Sequence, residues 1–167
     1  MQIFSDRIQT PIGDMLLLAS DGVMLVLEFV DAEGRVEREI STRFSNTEII
    51  LTKNPFGFSE RIANYFAGDL RTIDSIPTHG GGTEFQKRVW AGLRLIPCGV
   101  TISYGELATR LGDKNAMRAV GLANGRNPIS IVVPCHRVIG ANGSMTGYGG
   151  GMVRKEWLLR HEGALLI

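Results

Sequence analysis

Two adjacent residues, Cys135 and His136, are the pair in this sequence best suited to chemistry. A thiol attacks only as the thiolate, and free cysteine ionises near pH ~8.5, so it needs a base, which His136 offers. Pro134 fixes the backbone before the cysteine, at the end of a predicted strand where a side chain can reach a surface. The competing interpretation is a buried, inert cysteine, because the β-branched run 129–133 is typical of an interior strand.

The elements that must position this pair are predicted to be helices. Apolar residues at helical spacing predict one helix from about residue 84, ending near Pro97, and the spacing of Ser103 and Glu106 predicts a capping box that starts a second. A third is expected over about 115–124, ended by Asn127-Pro128, and a last one over about 152–161. The second and third helices, joined by a short turn containing Gly112, have a helix-turn-helix signature.

The N-terminal part has the pattern of a small antiparallel sheet. An apolar run at 15–19, the turn signal Asp21-Gly22 and a partner run at 23–29 predict a hairpin. A helix is expected over about 58–70, with Ile62 and Tyr65 on one face and Gly68 at its end. The three glycines within 78–83 predict a linker. We therefore expect a support domain at 1–76, a linker at 77–83 and a functional domain at 84–167.

Composition is typical of a globular protein. The chain has 167 residues, 44% hydrophobic and 21% charged, with a net charge of +1. Acidic residues outnumber basic ones in the first 76 residues and the reverse holds afterwards, so an anionic partner is expected at the C-terminal part. Two cysteines, no secretory leader and no apolar run long enough for a bilayer predict a cytoplasmic protein without disulfides or membrane contact.

Several segments of this sequence resemble the O6-alkylguanine-DNA alkyltransferases, of the constitutive bacterial type. The segment Asn127-Pro-Ile-Ser-Ile-Val-Val-Pro-Cys-His-Arg-Val-Ile139 is similar to the active-site signature of that family. Further matches are Ser103-Tyr-Gly-Glu-Leu-Ala108, Arg118-Ala-Val-Gly121, Gly147-Tyr-Gly-Gly150, Lys155-Glu-Trp-Leu-Leu-Arg-His-Glu-Gly163, Thr10-Pro-Ile-Gly13 and Tyr65-Phe-Ala-Gly68. The resemblance implies an α/β fold with an N-terminal ribonuclease H-like domain and a mostly helical, winged-helix-like C-terminal domain.

The same resemblance implies the chemistry: a single, irreversible transfer of an alkyl group from O6-alkylguanine in DNA to Cys135. His136 is then the base, acting through a water, and Glu162 orients its imidazole, as in nucleophile–base–orienter triads. Asn127 supports this network, and Tyr104 donates a proton as guanine leaves. No cofactor is implied. Taken one at a time, Glu162, Tyr104 and Asn127 also fit ordinary helix-end roles.

The resemblance further implies how DNA is bound. A paired guanine must leave the stack to be reached, so the base is expected to be flipped into a pocket. The helix with Arg118 would enter the minor groove, Arg118 filling the gap, and small residues would allow close approach. Residues implied in base recognition are Val138, Tyr148, Gly149 and Lys155, and those implied in DNA contact are Arg118, Ala119, Gly121 and Ala123. Helix packing is the alternative for the small residues. We expect a monomer on double-stranded DNA, and leave cooperative binding open.

Two positions depart from some members of that family. Met117 stands where some members have alanine, and a different groove fit is expected there. Gly149 stands where some members have serine, and the wider pocket expected from this predicts tolerance of larger O6-alkyl groups. No Cys or His precedes His79, so we expect no zinc. Cys98, His79 and His161 are interpreted as structural.

Two other functions stay open: a lesion-binding protein without transfer, which the presence of Cys135 disfavours, and a cysteine hydrolase, which leaves the helix-turn-helix unexplained.

Overall fold

A computed structural model describes residues 1–145 and 147–165 of the chain. Thr146 and the last two residues of the expected functional domain lie outside the described residues. The chain divides into two compact units, one from Met1 to Gly81 and one from Gly82 onward. Within the described ranges, every helix is too short or too polar to cross a membrane.

The first unit is built on a four-stranded sheet. Its strands are β1 (Gln2–Ile8), β2 (Met15–Ser20), β3 (Val23–Phe29) and β4 (Glu48–Leu51), in the order β3-β2-β1-β4. Strands β1, β2 and β3 pair antiparallel, as predicted, and the hairpin turn at Asp21 and Gly22 has positive φ at both residues, as a type I′ turn requires.

The expectation of a wholly antiparallel sheet is wrong, because β4 pairs parallel to β1. Parallel pairing needs a crossover connection, which the helix α1 (Arg35–Arg43) forms part of. Val36 and Phe44 are buried and Ile40 packs against the same core, an apolar spacing of four residues that was not recognised in the sequence. The predicted helix of this unit is present as α2 (Phe58–Phe66), which buries Phe58, Ile62 and Tyr65.

The second unit contains four helices and two short strands among the described residues. The helices are α3 (Glu84–Leu93), α4 (Tyr104–Arg110), α5 (Met117–Gly125) and α6 (Met152–His161). Strands β5 (Ile102–Ser103) and β6 (Val138–Ile139) pair parallel. All four predicted helices are therefore present, with the first ending four residues before Pro97.

The helix pair α4 and α5 packs together and against α3. At the start of α4 the Ser103 hydroxyl accepts a hydrogen bond from the Glu106 backbone N–H at 3.0 Å, whereas the Glu106 carboxylate accepts from Arg110. Only half of the predicted capping box is therefore used. The indole N–H of Trp90 donates to the carbonyl of Ala123 at 2.9 Å and so ties α3 to α5.

The segment 129–133, predicted as a strand, is instead a buried turn. Ile131 has φ +74°, and the N–H of Val133 donates to the Ile129 carbonyl at 3.1 Å. A short β-branched run is equally compatible with any fully buried segment, which is why its pattern misled. Cys135 therefore does not follow a strand, and at 5% exposure it does not reach the surface.

Candidate active site

Cys135 begins a short 3-10 turn, Cys135–Arg137, that leads into β6. The side chain of Asn127 shapes the chain just before it. Its amide nitrogen donates to the Val133 carbonyl at 2.8 Å and to the Ile129 carbonyl at 3.3 Å, and its oxygen accepts from the Ile129 N–H at 3.0 Å. Asn127 thus satisfies the buried backbone groups of the turn that carries the cysteine.

A buried network lies behind the cysteine. The Nε2 atom of His136 is 2.9 Å from Oε2 of Glu162, and both side chains are fully buried. Glu162 lies at the C-terminal end of α6, where a carboxylate is unfavourably placed for the helix dipole. Arg137 compensates by binding both carboxylate oxygens, from Nε at 2.9 Å and from Nη2 at 3.0 Å, while its Nη1 donates to the Ile96 carbonyl at 2.8 Å.

Burial and pairing set the charges of this network. Burial lowers the pKa of His136, and it outweighs the opposite effect of Glu162. Burial alone would raise the pKa of Glu162, but the contacts with His136 and Arg137 hold that pKa far below its usual range. We therefore assign an ionised Glu162 paired with Arg137, and a neutral His136 that donates from Nε2. The Nδ1 atom is then an acceptor, and it makes no hydrogen bond to the protein atoms of residues 1–145 and 147–165.

Two further ionisable groups lie close to the cysteine. Burial raises the pKa of Tyr104, and the negative charge of a Cys135 thiolate raises it further. The side chain of Lys155 is fully buried and donates to the Val138 carbonyl at 2.6 Å. Burial lowers the pKa of Lys155 to about 8, against the opposing effect of Cys135. A thiolate at Cys135 therefore has an acid and a cation near it.

A cleft of about 560 Å³ opens next to Tyr104. Small side chains give it room, and its walls come from the start of α4, from α5 and from the segment after β6. The lining residues are Ser103, Tyr104, Gly105, Met117, Arg118, Gly121, Gly140, Ala141 and Gly147.

The remaining residues singled out from the sequence fall into two groups. Of the residues expected to recognise the base, Val138 and Tyr148 are buried and Gly149 is exposed. The Tyr148 ring lies edge-on to His136, with centroids 6.5 Å apart. On α5, Arg118 and Ala119 are exposed and Gly121 is half-buried.

Ala123, expected from the resemblance to contact DNA, is 3% exposed, and its carbonyl accepts from the Trp90 indole N–H. This burial favours helix packing, the alternative given for the small residues of α5. The described residues also contain no cluster of three or more His, Cys, Asp and Glu side chains that could hold a metal ion.

Sequence reasoning missed Arg137 and Asn124. Arg137 directly follows the Cys-His pair, and an arginine inside a buried segment needs a partner, which was the available signal. Asn124 is 1% exposed on α5, and its amide nitrogen lies 3.4 Å from the carbonyl oxygen of Cys135. Nothing in the helical pattern distinguished it from an ordinary helix-end asparagine.

A buried thiol next to an imidazole that is hydrogen-bonded to a buried carboxylate, in the same unit as a helix-turn-helix pair with an exposed arginine, is the arrangement expected of a DNA-binding protein with a reactive cysteine. Residues 84–164 match the family described as 6-O-methylguanine DNA methyltransferase, DNA binding domain. The methylated-DNA–protein-cysteine methyltransferase of Salmonella typhimurium is 49% identical to this chain, covering all of the chain and 99% of that protein.

Solved structures agree with this match. The crystal structure of Mycobacterium tuberculosis O6-methylguanine methyltransferase is 40% identical with a TM-score of 0.82, covering 97% of this chain and 93% of that one. The structure of Mycobacterium tuberculosis OGT in complex with DNA is 41% identical with a TM-score of 0.81, covering 96% and 93%. The chain belongs to the methylated-DNA–protein-cysteine methyltransferases.

Proposed function

We propose that this protein repairs DNA by moving an alkyl group from O6 of a modified guanine to Sγ of Cys135. A carbon–sulfur bond forms as the carbon–O6 bond breaks. The observation that carries the proposal is the hydrogen bond between His136 and the ionised Glu162. His136 directly follows Cys135, which is buried, whereas Cys98 is only partly buried. Because a thioether sulfur is a poor leaving group, the protein reacts once and is consumed.

Two proton transfers make this displacement feasible. The thiol proton leaves through a water to Nδ1 of His136, which is neutral and can accept it; the positive charge that results is stabilised by Glu162. The departing guanine gains negative charge, and Tyr104 donates a proton to it. Burial favours the protonated form of Tyr104, which is the form an acid requires.

We further propose that α5 enters the minor groove of double-stranded DNA and that the damaged base is flipped into the cleft beside Tyr104. Exposed Arg118 would fill the space the base leaves, while Ala119 and Gly121 allow close approach of the helix. Electrostatic attraction to phosphate supports this orientation, since basic residues exceed acidic ones in this half of the chain.

Base recognition is proposed to use backbone groups of Val138 and Gly149, with Tyr148 as part of the pocket wall. The Val138 carbonyl already accepts from Lys155, but a carbonyl oxygen has two lone pairs and can accept a second donor. Lys155 would thus hold this recognition carbonyl in place. Gly149 is exposed and has no side chain, so it would leave room for O6-alkyl groups larger than methyl. O4-alkylthymine is a second candidate substrate.

For the finer architecture, we propose that the first unit is ribonuclease H-like and supports the second, which is winged-helix-like and carries both DNA binding and alkyl transfer. The boundaries proposed are 1–76, a linker at 77–83, and 84–167. We propose a cytoplasmic monomer that needs no cofactor or zinc.

Intact mass spectrometry tests the reaction. The protein is mixed with excess duplex DNA containing O6-methylguanine, and the expected product is one added methyl group, mapped by peptide analysis to Cys135. Cys135→Ser should gain none, while Cys98→Ser is the matched control and should gain one. Demethylation of many DNA molecules per protein would instead indicate a turnover enzyme such as a hydrolase. DNA binding without any adduct would indicate a lesion-binding protein.

A further inference from the structure

The position of Tyr104 is defined from several sides within the second unit. Its ring lies over α5, where a Cβ atom at Gly121 would be 3.9 Å from Cδ1 of the tyrosine. At the other end, a Cβ atom at Gly147 would be only 2.6 Å from the hydroxyl oxygen. Gly147 also has φ +84°, a conformation that other residues rarely adopt. The hydroxyl group of Tyr104 therefore lies directly against the backbone at residue 147.

Asn124 lies one helical turn after Gly121, so both residues face Tyr104. Its side-chain amide hydrogen-bonds to Tyr104, and its nitrogen also lies 3.4 Å from the Cys135 carbonyl oxygen. A carbonyl oxygen can only accept, so the atom of Asn124 that faces Cys135 must be the NH₂ group. The side-chain oxygen of Asn124 is buried without a hydrogen-bond partner among the described residues, an arrangement that is rare in proteins and costs stability.

We propose that Asn124 is a positioning residue that directs the proton of Tyr104 toward the departing guanine. A phenol has one proton to donate and an oxygen that also accepts. When an N–H of Asn124 donates to that oxygen, the phenolic proton cannot point toward Asn124, and a base seated in the cleft beside Tyr104 is an acceptor that this proton can reach. The same amide thus links the acid, Tyr104, to the backbone of the nucleophile, Cys135.

This inference rests on the proposed function and adds a role to it. In the step concerned, the carbon–O6 bond breaks, the electron pair stays on guanine, and the Tyr104 proton moves to the base. Asn124 touches neither sulfur nor alkyl carbon and acts only through the direction of that proton.

The first test is the single-turnover rate of methyl transfer from O6-methylguanine duplex DNA at saturating protein. Asn124→Leu keeps the shape of the side chain and removes its donor. We expect the rate constant to fall about tenfold, the effect of one hydrogen bond of ordinary strength. The affinity for duplex DNA should change less than twofold, because Asn124 is buried and does not lie on the exposed face of α5.

Two further measurements separate a role through Tyr104 from a general structural role. In the Tyr104→Phe background, Asn124→Leu should cause no additional loss, because the proton it directs is gone. Methyl iodide, used in a Cys98→Ser background, alkylates Cys135 with a leaving group that needs no proton. The rate of this reaction with methyl iodide should be the same in the Asn124→Leu variant as in the protein that keeps Asn124.

Gly147→Ala provides an independent variant that leaves Asn124 intact. Its added methyl group must displace the Tyr104 hydroxyl, so methyl transfer from DNA should again slow, while the methyl iodide reaction should not. An unchanged rate in Asn124→Leu overturns the inference, as does a loss that persists in the Tyr104→Phe background or extends to methyl iodide. If the unaltered protein transfers no methyl group from DNA, the proposed function itself fails, which is a different result.

Discussion

Arg137 donates to both carboxylate oxygens of Glu162 and to the Ile96 carbonyl, and replacing it with methionine tests the buried network. Arg137→Met retains an unbranched apolar chain in place of the arginine stem and removes the charged guanidinium. Both of its bonds to Glu162 and its bond to the Ile96 carbonyl are lost. Breaking a buried ion pair by removing one partner costs about 3–5 kcal/mol. Because His136 remains beside Glu162 and can take up a proton, we expect the low end, about 3 kcal/mol.

Tryptophan fluorescence during urea unfolding is a suitable assay. Both tryptophans of the chain, Trp90 and Trp157, belong to the second unit, so their signal reports on the unfolding of that unit. Urea is uncharged and does not screen the ion pair as a salt would. The matched control is Arg160→Met, which removes an exposed pair with Glu156 on α6 and should cost only about 0.3–0.5 kcal/mol.

The same variant has a second expected effect, on the pH dependence of methyl transfer. The positive charge of Arg137 lowers the pKa of His136, whereas Glu162 raises it. Without Arg137 the pKa of His136 rises, so less of the imidazole is neutral at a given acidic pH and less can act as base. The acidic limb of the rate profile should therefore move to higher pH. A stability loss no larger than that of Arg160→Met, together with an unmoved acidic limb, would refute the reasoning.

Three further predictions follow from the site. Burial lowers the pKa of His136 and keeps it neutral, so the folded state binds fewer protons than the unfolded state. The free energy of unfolding, measured in urea, should therefore fall as the pH drops below about 6.5. It should fall again below about 4.3, because the unfolded state then binds a proton at Glu162 that the folded state, with its depressed pKa, does not bind; His136→Gln should abolish the first step only. Asn127→Ala leaves three buried backbone hydrogen bonds unmade and should cost about 3 kcal/mol or more, so an unchanged urea midpoint would contradict its assigned role. Gly149→Ser should slow transfer from O6-butylguanine about tenfold relative to O6-methylguanine, and equal slowing of both would count against pocket size as the cause.

Much of the local structure followed from the sequence because short-range rules govern it. Asp21-Gly22 accepts positive φ at two successive residues, and a hairpin resulted. Ser103 caps α4 through its hydroxyl, and α6 has the bounds its pattern predicted, Met152–His161. The pairing of a nucleophile with a base was visible for a similar reason, because Cys135 and His136 are neighbours in the chain.

The tertiary structure decided what depends on distant partners. The β-branched run before Cys135 became a turn because the side chain of Asn127 satisfies its backbone groups, a contact that no periodicity encodes. Arg137 gained its importance only when folding brought Glu162, 25 residues further along the chain, within 2.9 Å of it. Residue types and their order in the chain were enough to indicate which groups could react. Their charges and proton directions were set only on folding, because these depend on burial and on partners from other elements.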